Sequence, residues 1–517
     1  MKRHLLSIAA SVLLVLAEAL PVLAQEGAVR VLGSGTNEDA PGIEVVRSDA
    51  SGLVLDVSLP SVVAEDVSVA GEVFQAVAIP GGILAGETGH PALPIFSRAL
   101  AIPDRSGVRV TAHVVDEEIY RGIRLLPMQP DEGTEFVLDT AAYGVDQFSV
   151  RPVAQSGEPA ISRGLRLAPL QISPVSYNPA RQELRVAHRL RVEVAFEGED
   201  LRNVLTRRRP VAPSFEGMYR DLLINYEAPT GERGTQPGTW LIICRNDNNV
   251  ISRLQPLLEW RQRKGLPVRL ATTQETGTSN SSIRNFIQAA YDTWETPPEY
   301  VVLAGDAGGS YSLPTFNEGL SGYGGEGDHP YTKLDGGDVL SDVHIGRLSF
   351  ESLTELEIIV AKIVGYESAP YIDDPTWFTR ACLVGDTSPS GYSCIQVMQG
   401  IKTWLRQLNY TQVDTVFSNP FVSQMTTALN RGDTIFAYRG YLSMSGWGNS
   451  NTYAMTNGSR MSFAVMSTCG TGSFAQGTAR SEAFLRAGDT NPIRPKGAIA
   501  AVGTATTGTH TRFNNCY

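Results

Sequence analysis

The spacing of apolar residues changes partway along the chain, and no single layer arrangement can satisfy both patterns. Between about residues 42 and 199 they recur at every second position, as in Leu53, Leu55, Val57 and Leu59 and again in Leu190, Val192, Val194 and Phe196. Period two belongs to strands with one buried face. Turn residues such as Pro80-Gly81-Gly82 separate the runs, and no long amphipathic helix interrupts them. This part therefore predicts an antiparallel β-sandwich or barrel. Its small acidic cluster, Asp116, Glu117 and Glu118, reads as a solvated strand end.

After residue 238 the pattern is strand then helix. Residues 239–244 and 267–271 are apolar runs of strand length, and Leu254, Leu257, Leu258 and Arg261 between them have helical spacing, with Gly265 as the stop. Ile283, Phe286, Ile287 and Ala290 mark a second helix, before a strand at 300–304. A second round begins near Trp377, with strands at 381–384, 413–417, 434–438, 461–467 and 498–502 and helices at 395–408, 422–430 and 482–486. Such alternation implies parallel sheets covered on both faces. With 517 residues, too many for one hydrophobic core, the chain divides into a β domain at 25–200, a linker at 201–237 and two α/β units at 238–372 and 373–517. Arg207, Arg208 and Arg209 stand together in that linker, as either a processing site or a plain charged connection.

Lys2, Arg3 and His4 precede an apolar run at residues 5–16 that is too short to span a bilayer, and Val22-Leu23-Ala24 precedes Gln25. This is the form of a secretory signal peptide, residues 1–24, cleaved after Ala24. The expected location is secreted or extracytoplasmic, whether periplasm, cell surface or extracellular, with no transmembrane segment after cleavage. A formal charge of -11 argues against nucleic acid as a partner. Cys244, Cys382, Cys394, Cys469 and Cys516 are too few, and odd in number, for a disulfide framework. Cys244 and Cys382 lie in apolar runs and read as buried strand residues.

In open parallel sheets, ligands bind beyond the carboxyl ends of the strands. The run 461–467 leads into Thr468-Cys469-Gly470-Thr471-Gly472, which puts a thiol at a strand tip beside flexible backbone amides. A thiolate is a strong nucleophile, and amides there can stabilise an oxyanion. The run 434–438 leads into Arg439-Gly440-Tyr441-Leu442-Ser443-Met444-Ser445-Gly446-Trp447.

These last two segments, with LIICRND, EWRQRKGLPVRL, YVVLAGDA, DVHIGRLSFESLTELEIIVAKIVGYE, ACLVGD and SEAFLRAG, resemble the gingipain family of caspase-like cysteine peptidases. The resemblance covers nearly the whole mature chain, and the amino-terminal β region is similar to the family's propeptide. It implies a β-sandwich followed by two caspase-like α/β units, with Cys469 as nucleophile, Gly470 at the oxyanion and protein or peptide substrates. It also implies that Asp386 orients the base and that Trp447 and Cys394 border the substrate pocket. Where the family's histidine stands this chain has Tyr441, and the following glycine is Leu442. A phenol is a poor base for a thiol at neutral pH. His510, after the strand at 498–502, is the candidate replacement base; His329 is a weaker one, and His344 reads as structural. Cys394 takes the place of the carboxylate that would hold a basic side chain, so Arg or Lys specificity is not expected.

Two functions follow: a secreted cysteine-type endopeptidase, or a catalytically impaired pseudopeptidase that binds peptides or a surface partner. No cofactor is required for either. Asp335, Asp338 and Asp342 offer oxygen ligands for a structural calcium, and solvated turn carboxylates are the alternative. The family continues beyond the point corresponding to Tyr517, so a truncated carboxyl end is expected.

Overall fold

The computed structural model describes residues 28–36, 39–69, 71–129, 136–228, 234–320, 323–388 and 393–506. They form two compact units, one of Met1–Thr235 with Asp335–Leu340 and one of Gln236–Leu334 with Ser341–Tyr517.

The first unit is built from antiparallel sheets. One runs Val175–Asn178, Glu183–Glu199, Gly52–Ser58, Gly42–Asp49, with Ser106–Arg121 also paired to Glu183–Glu199. A second runs Ala160–Ser162, Leu165–Ile172, Leu93–Ala101, Ile83–Ala85, with Ala154–Ser156 at its side. A third joins Val29–Gly33, Ser61–Val69 and Glu72–Ala78. The two strongest period-two runs of the sequence pair with one another: Val57 faces Leu190, Leu55 faces Val192 and Leu53 faces Val194. All six are buried in a core shared by the three sheets, and each is worth about 1.5–3 kcal/mol relative to exposure. Asp116, Glu117 and Glu118 are exposed on a long strand, with Arg189 3.5 Å from Asp116.

Part of the segment read as linker is folded. Pro213–Leu222 is a helix with proline in its first turn, and Phe215 and Tyr219, four residues apart, are buried on one face. Upstream, the fully buried Arg166 donates to the carbonyls of Pro103, Ser106, Asp200, Arg202 and Asn203. These bonds fix the chain as it leaves the sheet. Of the three consecutive arginines, Arg208 pairs with Asp104 at the surface, whereas Arg209 is buried with Asp335 3.6 Å away.

The second unit contains two parallel sheets. The elements of the first are β1 (Thr239–Cys244), α1 (Asn248–Arg263), β2 (Val268–Thr272), α2 (Asn280–Thr293), β3 (Pro298–Ala304), β4 (His344–Leu348) and α3 (Leu353–Ser368), and its strand order is β2-β1-β3-β4. The second comprises β5 (Arg380–Gly385), α4 (Ser393–Gln407), β6 (Gln412–Val416), α5 (Phe421–Arg431), β7 (Ile435–Arg439), β8 (Ser462–Met466), α6 (Arg480–Arg486) and β9 (Ala498–Gly503), ordered β6-β5-β7-β8-β9. Every residue of β1 is buried, as a strand covered on both faces requires. Cys244 and Cys382 are fully buried on β1 and β5.

Helix α6 joins the two sheets. Arg486 is 2% exposed and reaches Asp306 at 3.1 Å, Glu351 at 2.8 Å and Glu482 at 2.8 Å. Lys362 on α3, also buried, donates to the carbonyls of Phe484, Leu485 and Ala487 at the end of α6. The last carbonyls of a helix have no partner within it, and this ammonium supplies three donors.

Candidate functional site

The strands β7, β8 and β9 are parallel neighbours, with Tyr438 level with Met466 and Met466 level with Gly503. Their carboxyl tips therefore open on one edge, and the three loops beyond them are hydrogen-bonded together. Leu442 bridges Cys469, and the Ser443 N–H donates to the Cys469 carbonyl at 2.8 Å. The Gly440 N–H donates to Thr468 Oγ1 at 3.1 Å. On the other side, the Gly470 N–H donates to the Thr506 carbonyl at 3.2 Å and the Gly472 N–H to that of Thr504 at 3.0 Å.

Glycine is required at two points of this arrangement. Gly470 has φ of 72°, a left-handed conformation that a side chain disfavours. At Gly472 a Cβ would fall 2.5 Å from the Gly503 carbonyl carbon. The hairpin of Phe316–Leu320 and Tyr323–Gly327 closes the far side: Ala475 donates to Glu326 at 3.0 Å, and a Cβ on Gly325 would lie 3.1 Å from the Thr506 nitrogen.

Cys469 is 3% exposed. Burial pushes its thiol above the usual range, opposed by a smaller backbone hydrogen bond and by the positive charge of Arg439. The Gly470 amide, expected at the oxyanion, is occupied by Thr506. Asp386 follows β5 and is buried, but its partners are Ser445 Oγ, the Tyr438 hydroxyl at 3.1 Å and the Ser388 N–H at 3.1 Å. Burial raises the Tyr438 phenol well above its ordinary value, so it stays a donor. Tyr441 and Leu442 are 44% and 57% exposed.

The residues assigned to a substrate pocket are both covered. Trp447 is 1% exposed, stacks on Phe484 and donates to Thr452 at 2.8 Å, which makes it a core residue of the loop. Cys394 is buried in the first turn of α4, whose backbone lies so close to β5 that a Cβ on Gly385 would be 2.8 Å from the Cys394 carbonyl.

His510, Cys516 and the signal segment lie outside the described residues. His329 begins a short 3₁₀ turn, 3.9 Å from Glu318, and His344 stacks on Tyr300 across the β3–β4 pair. Of the three aspartates considered for calcium, Asp342 accepts from the Leu334 N–H, Asp338 from those of Ile161 and Leu340, and Asp335 faces Arg209. Among the described residues no group of three or more His, Cys, Asp or Glu side chains is placed to hold a metal ion, and no helix is long and apolar enough to cross a membrane.

The sequence reading missed Ser445, Tyr438 and Arg439 as neighbours of the candidate site. Only position beside Gly440 and Tyr441 could have signalled them.

The arrangement places a buried thiol at the tip of a parallel sheet among backbone amides. The Peptidase family C25 model matches residues 234–517, and the Propeptide_C25 model matches residues 34–230. Lys-gingipain W83 of Porphyromonas gingivalis is 27% identical over 510 residues, covering 92% of this chain and 28% of its own length. Gingipain R1 of the same organism is 25% identical over 450 residues, covering 81% of this chain and 43% of its own length. The chain thus spans less than half the length of these relatives. Among solved structures, the complex of the Porphyromonas gingivalis RgpB pro- and mature domains aligns with a TM-score of 0.46 at 22% identity, over 52% of this chain and 64% of that one. The family match extends over more than half of the sequence and includes the whole Cys469 edge: the chain belongs to peptidase family C25.

Proposed function

We propose that the chain is an exported cysteine-type endopeptidase in which Cys469 attacks the peptide carbonyl, with a two-unit caspase-like α/β domain behind a propeptide at about residues 25–200. The observation that carries this reading is the position of Cys469 at the shared edge of β7, β8 and β9, within a family match of 234–517. The thiol gives its proton to a base, the sulfur–carbon bond forms, and the C–N bond breaks as the amine leaves with a proton. Water then releases the acyl group from sulfur. His510 is the proposed base. The chain passes one hydrogen bond from Gly470 at Thr506, four residues earlier, which supports the assignment. Gly470 can serve an oxyanion only if the Thr506 carbonyl is displaced from its N–H.

Asp386 is proposed to shape the Ser445 loop, and Cys394 and Trp447 to support the pocket from beneath. With Cys394 in place of a carboxylate, no preference for Arg or Lys is proposed. The test compares the mature chain with Cys469→Ala and His510→Ala on a mixed peptide library. Cleavage lost in both variants supports the reading, and cleavage that survives Cys469→Ala overturns it. The alternative reading, a peptide-binding pseudopeptidase, rests on the expectation that Tyr441 takes the place of the family's histidine, and predicts that wild type binds peptides without cutting them.

A further inference from the structure

His188 stands where two sheets of the first unit meet. It falls at an irregularity in the pairing of Glu183–Glu199 with Ser106–Arg121, between Ala187 and Arg189. Its carbonyl accepts from the Leu59 N–H at 2.8 Å, and its ring Nδ1 is 2.9 Å from the Leu59 carbonyl. Leu59 and Pro60 are the two residues by which the chain passes from Gly52–Ser58 in one sheet to Ser61–Val69 in another. The Pro60 carbonyl accepts from the Gly35 N–H at 2.9 Å, and a Cβ on Gly33 would lie 2.9 Å from His188 Cε1. The imidazole therefore closes a corner, with the end of Val29–Gly33 against its edge.

The other ring nitrogen, Nε2, is 3.0 Å from the Tyr120 hydroxyl, which donates to Glu118 Oε2 at 2.8 Å. Three contacts in series thus run from a carbonyl to a carboxylate, and each needs one proton. A carbonyl oxygen only accepts, so Nδ1 carries a hydrogen. The phenol has a single hydrogen and keeps it, because burial and then Glu118 raise its pKa well above the ordinary value. A neutral imidazole and an ionised Glu118 therefore bring two protons to three contacts, and one pair of oxygen or nitrogen atoms must meet lone pair to lone pair. A third proton, on Nε2 or on Glu118, fills all three. The other charged groups on the surrounding strands pair elsewhere: Arg189 with Asp116 at 3.5 Å, Arg191 with Asp56 at 2.8 Å and Arg30 with Asp66 at 3.9 Å. Asp39, near Gly35, accepts from the Thr36 N–H, and His113 and Glu117 are exposed on Ser106–Arg121.

We propose that His188, Tyr120 and Glu118 form a proton-binding relay that tightens this corner in mild acid and loosens it as pH rises through neutral. The relay lies within residues 34–230, the propeptide-matched segment, and the proposal stands apart from any chemistry at Cys469. Histidine is the side chain that changes charge between pH 5 and 8. Below about pH 6.5 an unfolded histidine is protonated as well, and the contribution of the relay to stability is complete. Above that, the folded corner holds a proton that the unfolded chain lacks. Its contribution then falls with rising pH, by up to about tenfold in the opening equilibrium per pH unit for one proton.

The test is backbone hydrogen exchange in the full chain at pH values from about 5.5 to 8, read by peptide mass at the Leu59 amide and corrected for the intrinsic pH dependence of exchange. In wild type, protection of Leu59 should fall by about tenfold as pH rises from about 6.5 to 8. Glu118→Gln carries the sharper expectation. Its carboxamide can donate to the Tyr120 oxygen while Tyr120 donates to Nε2, which fills the three contacts without a titrating proton. Protection in this variant should stay at the acid level across the range. Tyr120→Phe breaks the relay and should give low protection at every pH. Glu118 is exposed, so its replacement leaves the fold intact, and if Phe at 120 prevents folding, Glu118→Gln against wild type decides alone. Wild-type protection that is flat with pH, or a pH dependence that survives in Glu118→Gln, would overturn the proposal.

Discussion

The hydroxyl of Ser445 donates to the carboxylate of Asp386, 59 residues earlier in the chain, and ties the loop after β7 to the tip of β5. Tyr438 donates to the same oxygen and accepts from the Ser445 N–H at 2.8 Å. Asp386 therefore holds the loop that carries Tyr441. A hydrogen bond to a charged group contributes about 1.5–3 kcal/mol. Ser445→Ala should lower unfolding free energy by that amount in urea titration, while Ser445→Thr, which keeps the hydroxyl, should recover part of it.

Tyr441 and Leu442 can be exchanged without disturbing a core, since both are exposed. Tyr441→His with Leu442→Gly should change stability by about 0.5 kcal/mol or less from side-chain contacts. If the edge is built for peptide hydrolysis, the double variant should cleave a mixed peptide library faster than wild type, with a new rise in rate through pH 6–7 as the imidazole becomes neutral. An unchanged rate and pH profile would argue against a catalytic role for this position.

Lys362 is held by three carbonyls at the end of α6. Burial pulls its pKa well below the ordinary lysine value, but the three carbonyl acceptors around the ammonium favour the charged form. Replacing it with Met removes all three bonds and leaves buried carbonyls without them, a loss of about 3–5 kcal/mol. The denaturation midpoint should fall accordingly, with accelerated hydrogen exchange in α6.

Glu482 shares Arg486 with Asp306 and Glu351, and burial raises its pKa from the ordinary value to about 7, with Arg486 opposing the rise. A folded pKa above the unfolded one means that the folded state binds more protons between the two values. The stability this contributes is complete below about pH 4.5 and is lost as pH rises through about 7. Glu482→Gln has no such proton to lose. Relative to wild type it should therefore fare better at pH 8 than at pH 5, by about 1–3 kcal/mol in paired denaturation curves. A stability difference that is flat with pH would contradict this.

Local chemistry made much of the fold legible. Apolar spacing located the paired strands Gly52–Ser58 and Glu183–Glu199 and the fully buried β1, because a strand's face and a helix's stripe are set by residues a few positions apart. The same rule missed Pro213–Leu222, whose few apolar residues gain a stable position only against the strands they pack on.

At the site, sequence alone put Cys469 after a strand, and the family resemblance set Tyr441 where a histidine is expected. Which groups surround the thiol was decided by register between strands far apart in the chain. Pairing Gly385 with Arg439 sent a cation under α4 and Tyr438 to the other face, toward Asp386, and the course of the chain after β9 brought Thr506 onto the Gly470 amide. Those contacts join residues tens of positions apart, so only the assembled sheet determines them. A one-residue slip in that pairing would reverse every face while leaving the apolar pattern of the sequence unchanged.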